Sequence, residues 1–515
     1  MNDIRTIRDL IEDRARCCGD EECLFFGDER VTFGEFDRHI NRVANGFLKL
    51  GVRRSDKVCL LLSNRPEFLY AWFGLNKIGA VMVPVNTAFR GQELSYIIRH
   101  SEAALVVTAE EFLPALAEVK KDAGFSRVIH VGAHREEGIL RFRDVCDGES
   151  DRLAPVLLSE DDHAVFPYTS GTTGFPKGVM LSHRSYVQTG FSYAEAIGAT
   201  AQDRIMTPNP LFHINAQCYS TMGSLAAGAS LVLLERFSAS RIFSEIERYK
   251  PTILVLVLAS ATILYNRYKE DPDRHTSVRR IIAGGVPRGE YRNFEKKFGV
   301  VLQNIYSMTE TPLGIMSPRD RVSKDGGVGW SMPVPSGCGE NVVCIVNERG
   351  QDTAPGEIGE IIVKNAALMD GYFKDPEATR QALRNGFLYT GDRAFRDEEG
   401  YIFFAGRGRD ILRKKGNNIA AAEVEGVLQA HPGILEAAVI GVPSSYGDDE
   451  IKAFVVFREG RRIGEEDLRQ WCAERLAEYK VPRFVEAVAA LPKNAMGRVM
   501  KNRLQEWSSS NGPAA

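Results

Sequence analysis

Apolar positions along the chain switch between two periods. Short apolar runs at residues 57–62, 80–85 and 104–108 alternate with amphipathic stretches such as 66–78, where Phe68, Leu69, Trp72 and Phe73 share one helical face. A further helix is expected from near Gly91. This alternation predicts an α/β fold with parallel or mixed sheet. The texture changes at residues 341–364, where the alternating strands 342–346 and 360–363 surround turns at 347–350 and 355–359. A small antiparallel β subdomain is expected there. Beyond Gly416 come a helix at 421–430, strands at 434–442 and 450–457, and a helix at 465–479 with Leu468, Trp471, Cys472 and Leu476 facing inward. About 100 residues of this kind can form a separate small α+β domain. The expected organisation is a large N-terminal domain over residues 1–407, a small C-terminal domain over 408–507 and a disordered tail over 508–515, which is small and polar.

Composition narrows the class. With 515 residues, two to four domains are expected at roughly 150 residues each. Lys and Arg total 65 against 68 Asp and Glu, a net charge of −3, which argues against a dedicated nucleic-acid binder. The nine cysteines are scattered, with no CxxC pair, so neither a disulfide framework nor a zinc site is indicated. The most apolar run, residues 252–264, is about 13 residues, short of the roughly 18 needed to span a membrane. No basic-then-apolar leader opens the sequence, so a cytoplasmic, multidomain enzyme is expected.

The strongest local signal is Y-T-S-G-T-T-G-F-P-K-G-V at residues 168–179. Thr169, Ser170, Thr172 and Thr173 alternate with Gly171 and Gly174, and Lys177 follows. Glycines let backbone N–H groups approach a ligand, hydroxyls add donors, and the lysine adds a mobile positive charge. A polyphosphate suits that set. The loop is not a Walker A motif, because Pro176 and Gly178 flank the lysine.

These twelve residues resemble the phosphate-binding signature of the adenylate-forming superfamily, which includes acyl-CoA synthetases, luciferases and peptide-synthetase adenylation domains. Further motifs follow in the family's order. I-Y-S-M-T-E-T at 305–311 resembles its Y-G-M-T-E segment, with Ser307 in place of Gly. Y-T-G-D at 389–392 is similar to its T-G-D, and Gly406 through Ile419 resembles its hinge. L-P-K-N-A-M-G at 491–497 resembles the approach to its C-terminal catalytic lysine. The resemblance implies an ATP-dependent ligase: a carboxylic acid is activated as acyl-AMP with pyrophosphate release, and a thiol then displaces AMP. It also implies a C-terminal domain that rotates between the two steps.

Roles follow residue by residue. Glu310 is the implied Mg²⁺ ligand, although a lone Glu is as often a surface carboxylate. Tyr306 offers a face for adenine, or is a core aromatic; Asp392 is suited to the ribose hydroxyls, or is a turn residue after Gly391. Ser307 and Thr309 share the nucleotide segment, Arg407 could meet the ribose or α-phosphate, and Gly284 and Gly285 lie in the A-G-G-V-P turn expected beside adenine. His213, in P-L-F-H, is the implied acyl-pocket residue, with a packed core histidine as the alternative. Residues 406–416 hold five cations and three glycines; they read either as a solvated linker or, at Lys415 and Gly416, as a contact for coenzyme A phosphates.

The sequence departs from the family at one catalytic position. Arg498 follows Gly497 where the family has a lysine. Arg keeps the charge but is larger and planar. Three readings therefore stay open: an acyl-CoA ligase, a stand-alone adenylating enzyme that loads a carrier protein, and a catalytically weakened nucleotide- or acyl-binding relative. His213 directly after Phe212 disfavours an amino acid substrate, and the segments 212–218, 431–442 and 450–457 look most like the carnitine/crotonobetaine-CoA ligase group of medium-chain acyl-CoA ligases. The expected partners are thus a small-molecule carboxylic acid of open chain length, ATP and coenzyme A, with Mg²⁺; no nucleic acid and no stable membrane insertion are expected, and an oligomer is left open.

Overall fold

The computed structural model describes residues 4–510 except 134–136, 170–175, 285, 287–288, 321–322, 337, 408–410, 415–416, 444–448, 477 and 495–496. Two large sheets carry the N-terminal part. In one, Val301–Gln303, Arg280–Ile282, Ile253–Val255, Arg204–Thr207, Ser230–Leu233 and Glu22–Phe26 run parallel in that order, and Glu29–Thr32 closes an antiparallel edge. In the other, His163–Val165, Val81–Pro84, Lys57–Leu61, Leu105–Ala109, Arg127–Val131 and Leu140–Arg141 run parallel. Val81–Pro84 and Leu105–Ala109 are buried at every position, which is why they read as unbroken apolar runs rather than alternating ones.

Helices pack where the apolar face demanded them. Phe33–Lys49 starts at a capping box, with Thr32 accepting from the Glu35 N–H and the Glu35 carboxylate accepting from the Thr32 N–H. Pro66 opens Pro66–Lys77, whose residues from Phe68 onward are all buried. The long apolar run at 252–264 divides into strand Ile253–Val255 and helix Leu258–Tyr268. Among the described residues no helix is long and apolar enough to cross a membrane.

The expected antiparallel subdomain is present: Val342–Val346, Gly359–Lys364, Phe387–Arg396 and Ile402–Arg407 pair in sequence, with Leu383–Arg384 also on Phe387–Arg396. From Leu412 onward the buried residues form clusters of their own, one around Val424, Ile434, Val455 and Cys472 and another around Ile440, Phe454 and Leu504. The small C-terminal domain is built on Ile434–Pro443 antiparallel to Asp449–Phe457, with Phe484–Ala487 parallel to the latter.

Three local expectations change. The helix expected over 465–479 ends at Ala473, and Glu478–Lys480 is a 3₁₀ turn. Helix Lys501–Ser510 runs three residues into the expected disordered tail, because Leu504 is buried and the Lys452 ammonium donates to Ser508 Oγ at 3.3 Å; residues 511–515 lie outside the described ones. Part of the expected linker is a hairpin, Ile411–Lys414 with Asn417–Ala420.

One buried imidazole gives the fold an acid limb. His183 is inaccessible, its Nδ1 accepts the Ile7 N–H at 3.2 Å, and burial pushes its pKa from 6.5 to about 4. Between those values the unfolded chain carries a proton that the folded chain lacks, so acidification must destabilise the fold. The expected slope from this group is about 1.4 kcal/mol per pH unit. Unfolding by denaturant at pH 7 and pH 5 should show it, and His183→Asn should remove that share of the difference.

Candidate active site

The phosphate-type loop is the tip of a hairpin. Tyr168–Thr169 pairs antiparallel with Lys177–Ser182, placing Thr169 opposite Lys177 and Tyr168 opposite Gly178. Both ends of the loop are therefore fixed, while Ser170, Gly171, Thr172, Thr173 and Gly174 lie outside the described residues. Gly178 suits a tight approach: a Cβ there would sit 3.0 Å from the Tyr168 ring. The Tyr168 hydroxyl in turn meets His100 Nδ1 at 2.8 Å, and His100 stacks on Tyr96. These contacts tie the hairpin to helix Gly91–Ser101, and Lys177–Ser182 also pairs with His163–Val165 of the larger sheet.

On its other side Lys177–Ser182 pairs with the short strand Gly371–Tyr372, in register Val179 to Tyr372. The Lys177 ammonium lies 4.9 Å from the centroid of the Tyr372 ring. The Tyr372 hydroxyl donates to Glu310 Oε1 at 2.9 Å. Burial first, and then the charge of Glu310, push the Tyr372 phenol upward, so it remains a donor. Glu310 is buried, with Thr309 in the turn between strands Ile305–Met308 and Thr311–Met316. Its backbone carbonyl accepts the Met369 N–H at 2.9 Å, which ties the turn to the segment leading into Tyr372.

Tyr306 and Ser307 lie on Ile305–Met308, where the register shifts between Tyr306 and Met308. Gly314 opposite must lack a side chain, since a Cβ would come within 2.1 Å of the Tyr306 carbonyl. The Tyr306 hydroxyl donates to Asp392 Oδ2 at 2.8 Å, and its ring lies 5.7 Å from that of Phe404. Asp392 is buried within strand Phe387–Arg396, not on a turn, and stands in register with Arg407 on Ile402–Arg407. Ser307 Oγ meets the hydroxyl of Tyr219 at 2.5 Å.

His213 sits half-buried beside Phe212, with ring centroids 4.6 Å apart, just before the π-helical segment Asn215–Thr221. Burial pushes its pKa down to about 4, so it is neutral at pH 7. Asn64 clamps the preceding loop: its amide donates to the carbonyls of Asn209 and Leu234, both at 2.9 Å, and its oxygen accepts the Leu211 N–H at 2.7 Å. Gln217 donates to the Leu211 carbonyl at 2.7 Å.

The fold thus joins Thr169 with Lys177, Lys177 with Glu310 through Tyr372, and Tyr306 with Asp392, which stands in register with Arg407. Gly284 follows strand Arg280–Ile282, while Gly285, Lys415 and Gly416 lie outside the described residues. Arg498 is exposed on a turn of the C-terminal domain, where its N–H donates to Asn494 Oδ1 at 3.0 Å and its carbonyl accepts the Asn494 N–H at 2.9 Å. Sequence reasoning missed Tyr372, Asn64, Gln217 and Tyr219. Their types and spacing carry no chemical signal; they become visible through the contacts that the fold creates.

Comparison with known proteins places the chain in a family. A family model described as AMP-binding enzyme matches residues 11–373, and one described as AMP-binding enzyme C-terminal domain matches residues 423–498. A crotonobetaine/carnitine–CoA ligase from Salmonella agona (strain SL483) is 33% identical over 520 residues, covering 97% of this chain and 99% of the relative. The anthranilate CoA ligase AuaEII in complex with anthranoyl-AMP superposes with a TM-score of 0.90 at 28% identity, over 98% of each chain. ATP-bound MatB from Rhodopseudomonas palustris gives 0.86 at 29% identity, over 97% of this chain and 98% of that one. With a family model across most of its length and a full-length relative at that identity, the chain belongs to the AMP-binding enzymes, as an adenylate-forming acyl-CoA ligase.

Proposed function

We propose that the residues gathered around the hairpin tip activate a small carboxylic acid with ATP and pass it to coenzyme A. The observation that carries this reading is the pair of links that join three sheets: Lys177 to Glu310 through Tyr372, and Tyr306 to Asp392 by a hydrogen bond. A carboxylate oxygen attacks the α-phosphorus, the bond to the β-phosphate breaks, and pyrophosphate leaves. The coenzyme A sulfur then attacks the acyl carbonyl, AMP leaves, and the thiol proton is released.

Each residue has a task in this reading. Thr169 through Gly174, with Lys177, hold the β- and γ-phosphates. Ser307 and Thr309 with Gly284 and Gly285 border the nucleotide, Tyr306 covers adenine, and Asp392 accepts from the ribose hydroxyls with Arg407 nearby in register. Among the described residues no group of three His, Cys, Asp or Glu is placed to hold a metal ion. Glu310, one buried carboxylate beside a phosphate site, still fits Mg²⁺, which usually takes one or two carboxylates together with substrate oxygens. When bound, Mg²⁺ supplies charge neutralisation on the phosphates. Arg498 takes the lysine's place at the carboxylate and α-phosphate, and Lys415 and Gly416 meet coenzyme A. The co-substrates are soluble, which supports a cytoplasmic site of action.

The acid has His213 as a neighbour. Burial favours the uncharged imidazole, which offers a hydrogen bond rather than a countercharge, so acids with one carboxylate suit the site better than dicarboxylates. The likeness to a crotonobetaine/carnitine–CoA ligase makes betaine-type acids the first to test. Exchange of labelled pyrophosphate into ATP, run with betaine-type, short aliphatic, aromatic and dicarboxylic acids, tests the first half-reaction. Exchange dependent on one of these classes is expected; exchange with dicarboxylates alone would contradict the substrate reading.

A further inference from the structure

Two residues of the nucleotide site meet on a third that no motif identified. Lys177 belongs to the loop hairpin and Glu310 to the turn after Ile305–Met308, more than a hundred positions along the chain. Tyr372 touches both. Its ring carries the Lys177 ammonium at 4.9 Å, and its hydroxyl donates to Glu310 Oε1 at 2.9 Å. The placement is built in. Val179 and Tyr372 are paired, the Phe373 N–H donates to the Gly178 carbonyl at 2.8 Å, and the Met369 N–H donates to the Glu310 carbonyl at 2.9 Å. Gly371 adopts φ +142°, and a Cβ there would lie 2.8 Å from the Thr379 side chain, so this approach of the strand needs glycine.

The two contacts differ in kind. A hydroxyl donating to a carboxylate is charge-assisted and fixes the direction of the oxygen it holds. A lysine over an aromatic face is held weakly, and the ring limits where a long, flexible side chain rests. We infer that Tyr372 is the positioning residue of the nucleotide site, its hydroxyl aiming Glu310 at the metal-bound triphosphate and its ring pre-ordering Lys177 for the phosphates. This rests on the proposed roles of Glu310 and Lys177 and adds a division of labour within one side chain.

The division can be read from binding, without turnover. ATP affinity is measured by titration calorimetry on the full chain, once with excess Mg²⁺ and once with a chelator. The wild-type protein should prefer Mg·ATP. Tyr372→Phe keeps the ring and its packing; it should weaken Mg·ATP by about tenfold and leave metal-free ATP unchanged. Tyr372→Leu removes the ring as well, and should also weaken metal-free ATP by about two- to fivefold. Glu310→Gln should lose the same metal preference and make Tyr372→Phe silent in its background. Equal losses with and without Mg²⁺ in Tyr372→Phe would mark a merely structural residue and overturn the inference, as would a Tyr372→Phe protein that keeps the full preference. A wild-type chain with no preference for Mg·ATP would overturn the metal role of Glu310 itself, which distinguishes the two failures.

Discussion

Arg498→Ala is expected to slow acid-dependent pyrophosphate release by about a hundred- to a thousandfold, the scale of losing one preorganised charge at a transition state. Conversion of a supplied acyl-adenylate and coenzyme A to thioester should be unchanged. The asymmetry follows from the chemistry. Negative charge is shared between the attacking carboxylate and the α-phosphate in the first step, whereas the second step needs no cation at that place. Arg498 is carried by a tight turn, with Gly497 at φ +74° and Asn494 bonded to the Arg498 backbone on both sides, so its backbone is presented firmly. Arg498→Lys separates two readings of the departure from the family. A gain of several-fold in pyrophosphate release marks Arg as a compromise, tolerated because guanidinium also grips two oxygens; no gain shows that this site is shaped for the planar group.

On the proposed role, Asp392→Ala should raise the KM for ATP by about a hundredfold, since two hydrogen bonds from ribose hydroxyls to a charged acceptor would be lost together. The carboxylate is buried and receives the Tyr306 hydroxyl at 2.8 Å, so its orientation is set before the nucleotide arrives. Tyr306→Phe should therefore raise the same KM less, by about tenfold or below, since the ring stays in place and one orienting bond goes. Steady-state titration of ATP at saturating acid reads both. A fall in kcat with an unchanged KM in Asp392→Ala would place that residue elsewhere in the reaction.

Much of the fold was legible because its signals are local. The parallel strands Val81–Pro84 and Leu105–Ala109 are buried on both faces, and apolar runs bounded by helical patterns express that directly. Pro66 marks a helix start wherever it occurs at that position. Ends were less legible because packing decides them. Leu504 docks the last helix and carries it to Ser510, although its final residues are small and polar.

The candidate site divides in the same way. The loop expresses its chemistry in residue type and spacing, whereas Glu310 and Asp392 take their roles only from the resemblance of their short motifs to the family's. Their partners show in neither way. Tyr372 is 62 positions from Glu310, and Asp392 is 86 from Tyr306, and nothing local announces either bond. The charge state of His213 is equally hidden, because burial sets it and burial is a property of the assembled chain.

The central claim is that one site makes an acyl-adenylate and then a thioester. A reaction with the best acid, ATP, Mg²⁺ and coenzyme A, quantified for pyrophosphate, AMP and acyl-CoA together, tests it most directly. Equal amounts of all three, with acyl-AMP retained on the protein when coenzyme A is withheld, is the predicted result. Pyrophosphate release that coenzyme A neither accelerates nor converts to thioester would contradict the claim and point to a carrier protein as the acceptor.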